Sequence, residues 1–341
     1  MKRNVLHIDT HFEFEAGGSL DSMDLVYHTS PREYTEGETV VWICHALTGS
    51  SDPEDWWNTM VGKGLTFDPD KVFVVCVSML CSPYGMCGPA TINPATGKPY
   101  LLDFPKATVR DVVNANILVR KALGINKIDI LMGPSIGGFQ TLEWLVMEPD
   151  TIRKAVILAT SDRATPYLTA YNESQRMAIL ADPTFLAAES VKGGQEGLKC
   201  ARSIALISYR TREGYNASQQ ETDEDTLFAS RAASYQRYQG QKLINRDFDA
   251  YSYWYLTLQL DSHNLGRGRG GVEKALSGIK AECTVIDVTS DQLFPADRLR
   301  EISGLIPGAA YHEIDSIFGH DGFFIESGQL AEILKPLIDN A

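Results

Sequence analysis

The chain lacks any apolar run long enough to cross a bilayer, and its opening "MKRNVLHIDTHFEFE" has none of signal-peptide length. No membrane association is expected, and the expected location is cytoplasmic. Basic charge is in the minority: 31 Lys and Arg stand against 44 Asp and Glu, a net charge of −13. This argues against nucleic acid or an anionic membrane surface as the main partner, since both require a basic face. The six cysteines (Cys44, Cys76, Cys81, Cys87, Cys200 and Cys283) are scattered, with no C-x-x-C, and are expected as buried reduced thiols. There is no P-loop. The sequence "GRGRGG" at 266–271 matches G-x-G-x-x-G, but it follows a polar helical stretch and not a strand, so it is not read as a dinucleotide site. "HIDTH" sets His7, Asp9 and His11 on one face of an expected strand. Nothing downstream supplies a further ligand, and no metal is expected.

What is present is alternation. Continuously apolar, β-branched runs at 39–47, 71–80, 127–133, 154–160 and 282–290 read as parallel strands covered on both faces. Helical spacing fills 108–125 and 139–149, and a last helix is expected over 322–338, with Pro336 kinking or shortening it. The opening 7–30 alternates polar and apolar residues as an antiparallel edge hairpin would. The fold class is therefore α/β, a mostly parallel sheet with helices on both faces. From 162 to 275 no strand is evident and the pattern is helical and polar, which suits a helical lid inserted between core segments 1–161 and 276–341.

The junction "ILMGPSIGGF" carries the chemistry. Gly133, Ser135 and Gly137 form G-x-S-x-G between a β-rich run and a helical one, the setting of a nucleophile elbow. There the serine takes a strained backbone conformation, and glycines flank it because a Cβ would clash. Pro134 is compatible, needing only φ near −65°. In the chain order Ser…Asp…His, Asp291 follows the late strand and His320 follows "YHEIDSIFG", both where a strand gives way to a loop. Ser135, Asp291 and His320 are the expected catalytic triad. The backbone N–H of Ile136 and that of Leu47, in "CHALTGS", are the expected oxyanion hole.

These blocks, together with "DWWNTMVGKG", "SPYGMCGPATINPATGKPY", "GLKCARSIALISYR" and "GHDGFF", resemble the homoserine O-acetyltransferase family, α/β-hydrolase-fold enzymes of methionine biosynthesis. The resemblance runs in order over most of the chain. It implies Ser135 as nucleophile, a helical lid over the site, acetyl-CoA as co-substrate with no other cofactor, L-homoserine as acceptor, and a homodimer through the lid helices. It also implies Arg202 and Asp321 as substrate-binding residues. Independently, Arg202 shares a helical stripe with Leu198, Ala205 and Leu206, where a charge needs a partner: the substrate, or a lid carboxylate in a buried ion pair. Asp321 reads either as a substrate ligand or as the N-cap of the terminal helix. The chain departs from the family pattern at Pro134, where glycine is usual, and at Ile136 and Phe139, where methionine is common. Its lid segment before "SYQRYQG" is short and acidic. These positions touch the pockets, so a serine or other hydroxyl acceptor, a succinyl donor, or plain ester hydrolysis stand as the alternatives. An esterase would have no need of Arg202 and Asp321.

Overall fold

The computed structural model describes residues 1–228 and 230–339. Eight strands make one sheet: β1 Lys2–Ile8, β2 Met23–Thr29, β3 Val40–Cys44, β4 Phe73–Val77, β5 Ile128–Pro134, β6 Ile152–Leu158, β7 Glu282–Val288 and β8 Ala310–Ile314. Their order is β1-β2-β4-β3-β5-β6-β7-β8. Pairs from β4 to β8 are parallel, whereas β1/β2 and β2/β4 are antiparallel. The N-terminal hairpin thus forms the edge of the sheet, as expected.

Strands β3 and β4 are apolar and buried at every position because both of their faces are covered. Side chains alternate across the sheet. Trp42 enters one core layer, while its neighbours Val41 and Ile43 enter the other. A single helical turn, α1 (Pro53–Trp56), follows β3. On the first face, helices α2 (Val109–Ala122) and α3 (Ile136–Met147) pack together, and Trp42 meets Trp144 edge-on at 5.2 Å. Trp42 Nε1 donates to Asn116 Oδ1 at 2.9 Å, so the buried indole is satisfied. Thr108 starts α2 in a capping box with Asp111. On the second face lies α13 (Ser327–Asp339), anchored by Leu330 and Leu334.

Between β6 and β7 the chain leaves the sheet and builds α4 (Pro166–Leu180), α5 (Pro183–Ala187), α6 (Gln195–Tyr209), α7 (Arg212–Gln219), α8 (Arg231–Asn245) and α9 (Ala250–Ser262). The base of this insertion is drawn together by an antiparallel bridge, Arg163 to Asn264. Helix α10 (Val272–Ser277) precedes β7, α11 (Ala296–Leu305) follows it, and α12 is the single turn Gly322–Ile325.

Several expectations need correction. β1 ends at Ile8, so His7, Asp9 and His11 do not share a strand face; His7 pairs with Asp24 at 2.7 Å and His11 with Asp21 at 3.1 Å. The reading of "GRGRGG" is not among them: Arg267 pairs with Glu15, and Arg269 with the buried Glu143. All six cysteines are free thiols, but Cys200 on α6 is exposed. The last helix is divided, with Gly322–Ile325 forming one turn before α13 starts at Ser327, and α13 runs on through Pro336.

Candidate active site

The strand order reverses direction between β3 and β5, and ligands of open α/β sheets bind beyond the carboxyl ends of the strands at such a switch point. Ser135 follows β5 there, and the loop 45–49 follows β3 beside it. Ser135 has φ 61° and ψ −123°, a conformation that side chains other than glycine rarely adopt. Its surroundings impose it. The Ser135 N–H donates to Leu158 O at 3.1 Å, and its carbonyl accepts from Thr160 Oγ1 at 2.8 Å and Gly138 N at 2.9 Å. The flanking glycines allow the close approach: a Cβ at Gly133 would lie 2.5 Å from the Gly137 carbonyl carbon, and one at Gly137 only 2.2 Å from Cys44 O. Both contacts are with backbone, which cannot swing away. Gly137→Ala should therefore destabilise the protein by about 2 kcal/mol or more and abolish turnover, readable as a drop in Tm together with lost activity. An alanine variant with native Tm and native rate would contradict this account of the elbow.

Asp291 lies three residues beyond β7, in a turn that begins with its N–H on Val288 O. Its Oδ1 accepts from the N–H groups of Leu293 (2.8 Å) and Phe294 (3.0 Å), which leaves Oδ2 for His320 Nδ1 at 2.7 Å. His320 follows β8 in a single helical turn and is buried among the rings of Phe294, Phe323 and Tyr209. Because an ionised carboxylate only accepts, the proton of a neutral His320 sits on Nδ1 and Nε2 is left as the base. No hydrogen bond joins His320 to Ser135 among the described residues, but both line one cavity of about 230 Å³ with Leu47, Arg202, Tyr209 and Asp321. Catalytic hydrogen bonds in an empty site are often long and tighten only with substrate present. The N–H groups of Leu47 and Ile136 have no protein acceptor among the described residues.

The helical insertion brings Arg202 to this cavity, and the turn that carries His320 brings Asp321. Arg202 lies against the Tyr209 ring, 5.6 Å from its centroid, and has no carboxylate partner among the described residues. The ion pair with a lid carboxylate is therefore not formed. Asp321 stands at the N-cap position of the turn Gly322–Ile325, but its side chain does not cap it. Its Oδ2 instead accepts from Arg210 Nε at 2.8 Å.

Sequence reasoning missed Arg210. Burial works against its charge, yet the Asp321 carboxylate more than offsets this and holds the guanidinium above its ordinary range. Its ring neighbour is Tyr235, at 5.2 Å. The neighbouring Thr211 Oγ1 donates to Ile317 O, which ties the end of α6 to the loop that carries His320. Helical spacing carries no signal for it, because Arg210 is the extended residue that ends α6, with φ −123° and ψ 147°.

The profile of a family described as alpha/beta hydrolase fold matches residues 39–327. A homoserine O-acetyltransferase from Cyclobacterium marinum is 41% identical over 337 residues, spanning 98% of this chain and 95% of that protein. The crystal structure of a homoserine O-acetyltransferase from Bacillus anthracis superimposes with a TM-score of 0.89 at 23% identity, covering 98% of this chain and 97% of its own. That of esterase E22 does so with a TM-score of 0.88 at 22% identity, covering 98% and 99%. At such identities the two structures speak to the fold alone. One backbone therefore hosts a transferase and an esterase, and the side chains in the cavity must decide between them.

Proposed function

The chain belongs to the homoserine O-acetyltransferase family, and from that premise we propose that Ser135 carries the acetyl group between donor and acceptor in a two-step transfer. The protein transfers an acetyl group to the hydroxyl of L-homoserine, a step of methionine biosynthesis. Acetyl-CoA is the co-substrate, and no other cofactor enters the chemistry.

In the first step His320 Nε2 takes the proton of Ser135 Oγ as Oγ bonds to the thioester carbonyl carbon. The carbonyl oxygen becomes an oxyanion held by the N–H groups of Leu47 and Ile136. The C–S bond breaks, and the proton passes from His320 to the departing thiolate. In the second step the homoserine hydroxyl gives its proton to Nε2 and attacks the acetyl-serine carbonyl. The bond to Ser135 breaks, and the proton returns to Oγ. Asp291 keeps the ring in the productive tautomer throughout.

One observation favours transfer over hydrolysis: a cation without a carboxylate partner and an anion with one unbonded oxygen, both among the described residues, share the cavity with Ser135 and His320. Arg202 suits the carboxylate of homoserine, and Asp321 Oδ1 suits its ammonium, while Arg210 holds Oδ2. Held at both ends, the acceptor outcompetes water by orientation. The apolar surface that the lid exposes at Met177, Leu186, Ile207 and Tyr238 supports a homodimer through the lid helices. Among the described residues no helix is long and apolar enough to cross a membrane, and the proposed location is cytoplasmic.

The test is thiol release from acetyl-CoA with and without L-homoserine. Release should depend on homoserine and match the O-acetylhomoserine formed; release indifferent to homoserine would assign the protein to the hydrolases. In the same assay Arg202→Ala, Asp321→Asn and Arg210→Ala should each lower kcat/KM for homoserine by about 10–100-fold, the worth of a charge-assisted hydrogen bond. Acylation of Ser135 by an activated acetyl ester should keep its native rate. If both half-reactions fall together, these residues do not form an acceptor clamp.

A further inference from the structure

His45 is the first residue beyond β3, and none of its surface is exposed. Its ring makes two hydrogen bonds in opposite directions. Nε2 lies 2.9 Å from the N–H of Met79, two residues past the end of β4, and can only be accepting there. Nε2 is therefore bare, and a neutral ring must carry its proton on Nδ1. Nδ1 lies 2.9 Å from the carbonyl oxygen of Ala46 and donates to it. The same oxygen accepts from the Gly49 N–H at 2.8 Å.

The Ala46 carbonyl and the Leu47 N–H are two ends of one peptide group. That group is planar and trans, so fixing the oxygen fixes the direction of the N–H on its far side. From this geometry we infer that His45 is a positioning residue for acyl transfer: it locks and polarises the 46–47 peptide so that the Leu47 N–H is aimed, before substrate arrives, at the developing oxyanion. The inference rests on the assignment of Leu47 to the oxyanion hole. A donor that is already oriented costs no reorganisation as charge develops. Two donors on the carbonyl also strengthen its N–H as a donor, by about 10–30% per bond in a chain of hydrogen bonds. The ring stays uncharged in this role, since burial pushes its pKa down to about 4. The other face of the loop is held by the elbow itself, whose Gly137 abuts Cys44 O and His45 O.

The test uses His45→Phe, which keeps a ring but loses both hydrogen bonds, and His45→Gln, which can restore the one to Ala46. His45→Phe should slow both half-reactions by a similar factor of about 100-fold, because both tetrahedral intermediates use one hole. His45→Gln should recover part of that loss, and KM for homoserine should not move. A second chain has the Leu47 amide replaced by an ester, which removes the N–H itself. It should be slow, and adding His45→Phe to it should cost little more.

If the ester chain keeps the native rate, the assignment of Leu47 fails. If it is slow while His45→Phe is fast, only the role of His45 fails. Equal damage by His45→Phe in both backgrounds would also overturn the proposal, since a purely structural role is indifferent to the N–H. Should the variants not fold, the native protein with nitrogen-labelled histidine decides. His45 should show a protonated Nδ1 and a bare Nε2 from about pH 5 to about pH 8; the opposite tautomer, or a titration in that range, would overturn it.

Discussion

Replacing Ser135 with alanine should lower kcat for acetyl transfer by at least about 10⁴-fold while leaving the protein folded. The loss is large because the acetyl group then has no carrier. Donor and acceptor would have to meet directly in a cavity of about 230 Å³, with His320 facing no nucleophile of the protein. The fold should not notice, because Ser135 Oγ makes no hydrogen bond among the described residues and the backbone partners that hold φ at 61° are untouched. Tm should therefore match the native value. Transfer within tenfold of native, measured as O-acetylhomoserine formed per unit time, would contradict the nucleophile assignment.

Asp291→Asn should cost on the order of 10⁴-fold in kcat for a different reason. The two backbone N–H groups of Leu293 and Phe294 demand an acceptor at Oδ1, so an asparagine must turn its carbonyl toward them. Its NH₂ then faces His320 Nδ1, which becomes an acceptor, and the ring proton moves to Nε2. The nitrogen that should receive the Ser135 proton is then already protonated. The volume is unchanged and the turn remains capped, so stability should fall little. A variant that acylates Ser135 at near-native rate would show that Asp291 does not set the tautomer.

Much of this was legible in the sequence because it is local. The elbow needs glycines two residues either side of one serine, where a Cβ would strike backbone, and sequence spacing records that directly. Likewise, Asp291 sits just past a strand whose apolar run marks its end, and His320 follows the short strand β8. What escaped reading depends on contacts across the chain. The partner of Asp321 is Arg210, 111 residues away, and nothing beside either residue announces the other. His45 was visible only as part of "CHALTGS", since both of its partners are backbone groups, which have no letter of their own.

The misreadings have the same origin. "HIDTH" alternates like a strand, but β1 stops at Ile8 and the histidines pair with Asp24 and Asp21 of the return segment. The lid resisted detailed reading because its helices are stabilised by packing on one another, with polar faces that obscure the apolar period.

The account turns on the acetyl group resting on Ser135. The most direct measurement is to mix the protein with acetyl-CoA alone, quench in acid, digest, and locate any added acetyl group by mass spectrometry. A single acetyl on the peptide containing Ser135, discharged to O-acetylhomoserine when L-homoserine is added before the quench, is the predicted result. An unmodified Ser135 in protein that nonetheless transfers acetyl groups would contradict it.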